Sequence, residues 1–164
     1  MKYTHILAIA AAGSLCLSSL PARAGDDCPS AVKQTVEKTF PGSSVKKCEI
    51  EKHDGKEMYE VKLKTKEGAT TRMDLDPAGL VLLTQQYVAV EGVPPVVMKS
   101  YRTKYPDYKV VKTEKWTYPD GKVTYRMTYA PKEGATATKK TVVYSNDGTF
   151  MEETEYSPDD DDMD

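Results

Sequence analysis

Apolar side chains recur along this chain with two different periods, and the two periods alternate in blocks. Val32, Val36 and Phe40 stand four residues apart, as do Val97, Tyr101 and Tyr105, a spacing that places each trio on one face of a helix. Pro29-Ser30 opens the first block and Pro94-Pro95 the second; proline suits a first helical turn, where its missing N–H is not needed. Pro41 and Pro106 follow Phe40 and Tyr105 and disfavour helix at the residue before them, so each helix stops there. Matching residues of the two blocks are 65 positions apart.

After each helix the period changes to two. Tyr59, Val61 and Leu63 alternate with Met58, Glu60, Lys62 and Lys64, and Val123, Tyr125, Met127 and Tyr129 repeat the pattern, which reads as a half-buried strand. The turn pairs Asp54-Gly55 and Asp120-Gly121 precede these strands. Lys66-Glu67-Gly68-Ala69-Thr70 returns as Lys132-Glu133-Gly134-Ala135-Thr136 and reads as a hairpin loop at equivalent places, three residues longer on its second appearance. Thr71, Met73 and Leu75 follow the first loop, and Val142 and Tyr144 the second. Then Asp76-Pro77-Ala78-Gly79 or Ser145-Asn146-Asp147-Gly148 turns into a last strand, 80–84 or 149–153. Counting first strands around 45–50 and 110–117, the expected fold class is α+β. It consists of two tandem helix-plus-four-stranded antiparallel sheet units packed side by side, residues 25–92 and 93–156. The stretch 85–92 reads as a short connection, and each unit of about 60–70 residues is marginal alone.

Composition changes the picture mainly at the two ends. Met1-Lys2-Tyr3 gives a charged start, 6–20 is apolar or small, and Ala22-Arg23-Ala24 is a small-x-small cleavage signal, so 1–24 reads as a secretory signal peptide. Gly13, Ser14, Ser18 and Ser19 dilute the run below what a bilayer span needs, and Leu15 before Cys16 argues against lipidation. The expected location is therefore periplasmic or secreted, with no membrane span after cleavage. Two cysteines remain, Cys28 and Cys48, and an even count in an oxidising compartment implies one disulfide. Closing a loop of about 20 residues stabilises by about 3 kcal/mol in the chain-entropy account. There is no Cys-x-x-Cys, and His53 is the sole histidine after cleavage, which argues against a redox pair or a metal site.

Removal of Lys2 and Arg23 leaves 21 basic against 25 acidic residues, a net charge of −4. Five of the acids are Asp159 to Asp162 and Asp164, in a segment 157–164 that reads as an acidic disordered tail. The rest is near neutral and lacks the basic stripe of a nucleic-acid binder. No Gly-rich phosphate loop, His-x-x-x-His pair or Gly-x-Ser-x-Gly elbow occurs, so the chain reads as a non-enzyme with no cofactor implied.

Certain short motifs repeat in the same order. Phe40-Pro41, Asp54-Gly55, Tyr59-Glu60-Val61 and Gly79 come first, then Tyr105-Pro106, Asp120-Gly121, Tyr125-Arg126-Met127 and Asp147-Gly148. Across roughly residues 28–155 this order resembles the PepSY-like family, also described as beta-lactamase-inhibitor-like. The resemblance implies an exported, non-enzymatic protein, in a family whose namesake binds a beta-lactamase through an open, concave sheet face.

If Tyr59, Val61, Leu63, Met73 and Leu75 face the helix, alternation puts Glu60, Lys62, Lys64, Arg72 and Asp74 on that open face, with Thr124, Arg126, Thr128, Thr141 and Val143 beside them. The face is then polar. Trp116 and Tyr118 are the aromatic residues able to give it a desolvated centre of the kind that dominates interfaces, where their strand turns that side outward. The candidate binding residues are thus Glu60, Lys62, Arg72, Asp74, Trp116, Tyr118, Arg126 and Thr128. The tyrosines crowding the second unit read as core, with a ligand platform as the alternative. The partner expected is an exported protein or peptide. The other reading is a small ligand or cation, held by Lys62, Arg72 and Arg126 for an anion or by the aspartate tail for calcium; neither reading specifies an oligomeric state.

Overall fold

The computed structural model describes residues 28–132 and 138–156. The leading segment 1–24, the tail 157–164 and the stretch 133–137, which holds most of the second Lys-Glu-Gly-Ala-Thr loop, lie outside the described residues. The order is α1 (Ser30–Thr39), β1 (Ser44–His53), β2 (Lys56–Lys64), β3 (Thr70–Leu75) and β4 (Val81–Tyr87), then a 3-10 turn at Val90–Gly92. There follow α2 (Pro95–Lys104), β5 (Tyr108–Thr117), β6 (Val123–Pro131), β7 (Lys140–Ser145) and β8 (Phe150–Glu155).

The expected pair of helix-plus-four-stranded units is corrected by the strand pairing. Among the described residues all eight strands form one antiparallel sheet in sequential order, β1 to β8, and with two ten-residue α-helices beside it these residues are mostly sheet. The junction lies in the segment read as a connection: β4 runs on to Tyr87, and Thr84, Gln85, Gln86 and Tyr87 pair with Thr117, Trp116, Lys115 and Glu114 of β5. Val88 extends this ladder by donating its N–H to the Thr113 carbonyl at 3.1 Å. A free β4 edge would expose a row of unpaired backbone groups; pairing with β5 satisfies them, which two sheets merely touching would not.

Both helices pack on one face of this sheet. Val32 and Val36 of α1 are buried against Val61, Leu63, Met73 and Leu75, and the Cys28–Cys48 disulfide, with its Cα atoms 5.9 Å apart, ties the start of α1 to β1. Each such aliphatic chain contributes about 1.5–3 kcal/mol by leaving water. Under α2 the same positions are aromatic. Val97, Tyr101 and Tyr105 pack on Tyr125, Met127, Tyr129, Val142 and Tyr144, with the Tyr105 and Tyr129 rings 4.6 Å apart. Tyr101, Tyr105, Tyr125, Tyr129 and Tyr144 are therefore core, and the Tyr105 hydroxyl donates to the Glu153 carboxylate.

Two tight turns dock onto the helices. In the β3–β4 turn the Gly79 N–H bonds the Asp76 carbonyl at 2.9 Å, while the Gly79 carbonyl accepts from Thr35 Oγ1 of α1 at 2.8 Å. Gly79 has φ +85°, and a Cβ there would lie 2.7 Å from the Ala31 carbonyl oxygen. Gly148, also at φ +85°, makes the matching approach to Val96 and Ser100 of α2. Glycine is required at both places by conformation and by space.

Candidate binding face

The face opposite the helices follows from the register. Lys62 stands opposite Arg72, Arg72 opposite Gln85, Gln85 opposite Trp116, and Trp116 opposite Thr124. Five strands thus contribute one side chain each to a single row crossing the middle of the sheet. On one side of this row lie Glu60 and Asp74, themselves paired across β2 and β3. On the other lie Tyr87, Glu114 and Arg126, then Lys112 and Thr128.

Of the residues expected on the open face, Glu60, Lys62, Arg72, Asp74, Trp116, Arg126 and Thr128 fall on this side of the sheet. Tyr118 does not belong to the row: β5 ends at Thr117, and Tyr118 begins the turn that its N–H closes onto the Lys122 carbonyl at 2.9 Å. Gln85, Tyr87 and Glu114 were missed. Gln85 and Tyr87 lie in the stretch read as a connection, and no sequence signal marked the β4–β5 pairing that sets them and Glu114 beside Trp116 and Arg126.

The charges here compensate one another. Arg72 Nη1 lies 3.2 Å from Glu60 Oε2 and Arg72 Nε 3.8 Å from Asp74 Oδ1, with Lys62 Nζ 3.9 Å from Glu60. Lys112 Nζ sits 3.1 Å from Glu114. Lys62 and Arg72 are thereby occupied by carboxylates, which weakens the reading of them as an anion site. Among the described residues no group of three metal-ligating side chains comes together, and the aspartate tail lies outside them.

Asp74 is 6% exposed, and burial raises its pKa from 3.8 to about 6. Arg72 opposes this shift, Glu60 and Glu51 add to it, and the Gln85 amide weakly opposes it. Desolvation dominates because the buried carboxylate has too few donors to replace its water.

Unpaired polar atoms mark the same row. Arg72 Nε, Asp74 Oδ1, Gln85 Nε2, Trp116 Nε1 and Thr124 Oγ1 are all buried without a hydrogen-bond partner. An unmet buried polar atom costs about 1–3 kcal/mol, and folded proteins keep few of them. Five contiguous ones on a face that no described helix covers is a concentration of unmet hydrogen-bonding capacity. The Arg126 guanidinium lies 5.3 Å from the Trp116 ring centre, so the middle of the face carries an aromatic plate with a cation over it. Beyond Tyr87 the face continues into a groove of about 480 Å³ lined by Tyr87, Val111, Lys112, Thr128, Lys139 and Tyr156, among others. Val111 is the extra residue of a β-bulge between Val110 and Lys112, a device that re-aims side chains.

No described helix is long and apolar enough to cross a membrane. No protein-family model matches the sequence, and no curated protein matches it. Solved structures do. A DUF2874 family protein from Bacteroides uniformis is similar with a TM-score of 0.64 at 16% identity, over 77% of this chain and 88% of that one. A DUF2874 family protein from Bacteroides ovatus has a TM-score of 0.64 at 17% identity, over 80% and 89%. A BLIP-like protein from Bacteroides fragilis has a TM-score of 0.62 at 17% identity, over 80% and 88%. At these identities the likeness is one of fold, and the fold is BLIP-like.

Proposed function

We propose that this chain is an exported, non-enzymatic binding module that takes a protein or peptide of the cell envelope on the sheet face opposite its helices. The observation carrying this reading is the row of buried, unpartnered polar atoms from Arg72 to Thr124, set beside Trp116 and Arg126. A partner that supplies the missing hydrogen bonds recovers what folding leaves unmet, and a desolvated Trp–Arg centre is the usual seat of interface energy. The BLIP-like fold, the Cys28–Cys48 disulfide and the signal-like residues 1–24 support the exported, binding part. The PepSY-like resemblance belongs to the same reading, supported by bulges at Val45/Lys47 and Val110/Lys112, 65 positions apart. A small ligand in the groove beside Tyr87 is the second reading, favoured by its two lysines and its volume.

The test uses immobilised mature chain and its Arg72→Ala/Trp116→Ala variant, both exposed to envelope extract. A component retained by the wild type and lost from the variant is then purified and titrated while the emission of Trp116, the single tryptophan, is followed. Saturable binding with a blue shift in the wild type, together with an affinity that calorimetric titration finds weaker by at least about 2 kcal/mol in Trp116→Ala, is the expected result. Identical retention by both proteins, or an unchanged tryptophan on binding, overturns the reading.

A further inference from the structure

The unmet groups of the central row are mostly donors, and this deepens the proposed function, on which it rests, by specifying what the partner presents. Arg72 Nε and Asp74 Oδ1 face each other at 3.8 Å, so a small movement pairs them. Gln85 Nε2 and Trp116 Nε1 remain, on adjacent strands and directly opposite in register. Both can only donate. Gln85 is 3% exposed, so its amide is held in place; the Asp74 carboxylate is close enough to feel it, but no acceptor meets Gln85 Nε2 in full hydrogen-bond geometry. Arg72 flanks Gln85 on one side, and the Arg126 guanidinium lies over Trp116 on the other.

We infer that the pair Gln85 and Trp116 is the receiving site for a carboxylate side chain, so that the partner docks through an aspartate or glutamate of an acidic segment. A carboxylate offers enough lone pairs to accept from both donors at once, and hydrogen bonds to an ionised acceptor are the stronger kind. The lower face of the site is set by Asp74. Around it stand Glu60 and Lys62 from β2, Glu49 and Glu51 from β1, Arg72 on its own strand, and Leu83 and Gln85 from β4. An incoming carboxylate meets repulsion from Asp74 when that residue is ionised, and none when it is protonated. With its pKa near 6, Asp74 changes state between pH 5.5 and 7.5, while a glutamate probe, ordinarily near 4.3, stays ionised. Carboxylate binding therefore strengthens as the pH falls through 6, whereas a lysine or arginine anchor on Asp74 weakens.

The experiment follows the indole N–H resonance of Trp116, unique because the chain has one tryptophan, in the ¹⁵N-labelled mature protein. Three doubly blocked amino acids are titrated: N-acetyl-glutamate, N-acetyl-glutamine and N-acetyl-lysine, each as its N-methylamide. The glutamate compound moves the resonance saturably and downfield, more than glutamine does, and lysine leaves it in place. Binding at pH 5.5 is about fifteenfold tighter than at pH 7.5: one like charge at about 7 Å in an effective dielectric near 20 is worth about fiftyfold, and with a pKa of about 6 Asp74 is still about 3% protonated at pH 7.5. Gln85→Leu removes the response. A larger response to lysine, the opposite pH trend, or no response to glutamate overturns the inference on wild-type protein alone, whatever the fate of the variant. The docking reading fails separately: a purified partner that leaves Trp116 emission unchanged removes it, whereas a partner that perturbs Trp116 but presents no acidic residue removes only the carboxylate.

Discussion

Replacing Gly79 by alanine tests how the sheet is fastened to its helices. At φ +85° an alanine sits in the left-handed region at a cost of about 1–2 kcal/mol. Its Cβ lies 2.7 Å from the Ala31 carbonyl oxygen and 3.0 Å from Thr35 Oγ1, both on α1, so the turn must withdraw from the helix. Withdrawal breaks the 2.8 Å bond from Thr35 Oγ1 to the Gly79 carbonyl, worth about 1 kcal/mol. It also loosens α1 over Leu75 and Met73. The stiffer unfolded chain returns about 0.4–1 kcal/mol. The expected net loss is about 2 kcal/mol, a sizeable share of a typical stability of about 5–15 kcal/mol. Gly42 is the internal control: its φ is +74°, yet nothing lies within 4 Å of its added Cβ, so Gly42→Ala costs only about 1 kcal/mol. Urea unfolding of both variants, read at constant m value, measures the difference. Losses equal within about 0.5 kcal/mol would mean that the turn–helix contact contributes nothing beyond backbone strain.

Four further outcomes follow from the same geometry. Reduction of Cys28–Cys48, or its replacement by serines, lowers stability by about 3 kcal/mol; denaturant midpoints of oxidised and reduced protein that coincide would refute this. Asp74 has a folded pKa of about 6 against 3.8 ordinarily, so its contribution is complete below pH 4 and is lost as pH rises through 6, by about 3 kcal/mol. Asp74→Asn should match wild type near pH 4 and exceed it at pH 7.5, and a variant weaker at pH 7.5 would show that pairing with Arg72 outweighs desolvation. The buried hydroxyl of Tyr144 has no partner, while that of Tyr105 donates to Glu153; thermal unfolding should find Tyr144→Phe neutral or stabilising and Tyr105→Phe destabilised by about 1–2 kcal/mol. Thr124→Val removes another unmet hydroxyl and should gain about 0.5–1 kcal/mol while weakening the envelope partner's binding, a trade that a purely structural row would not show.

Much of the local structure was legible in the residues. The four-residue spacing of Val32, Val36 and Phe40, and of Val97, Tyr101 and Tyr105, marks the buried faces of α1 and α2, because a helix repeats every 3.6 residues and must bury one stripe. The prolines after Phe40 and Tyr105 mark their ends, where the Phe40 and Tyr105 N–H groups close onto Val36 and Tyr101 at 2.8 Å. Strict alternation in β2 and β6 separated Val61, Leu63 and Met127, all nearly inaccessible, from Glu60, Lys62 and Arg126 on the other side. The boundaries of β4 and β8 were less legible: the expected 80–84 and 149–153 became Val81–Tyr87 and Phe150–Glu155. Register shifts at Asp74/Leu75 and Val143/Tyr144 break the alternation there.

Periodicity therefore decided which residues form helices and strands and which side of each strand meets a helix, since these depend on neighbours a few positions away. How the strands join was decided only in three dimensions. Gln85 and Tyr87 carry no local mark of strand, and become β4 because the backbone of β5 lies beside them and completes their hydrogen bonds. The same long-range pairing turned two expected sheets into one and laid Lys62, Arg72, Gln85, Trp116 and Thr124 in a single row. Their unmet donors exist only in that juxtaposition: each residue alone is an ordinary polar position on a strand, and the row becomes a candidate site because tertiary pairing buries its members together without supplying their acceptors.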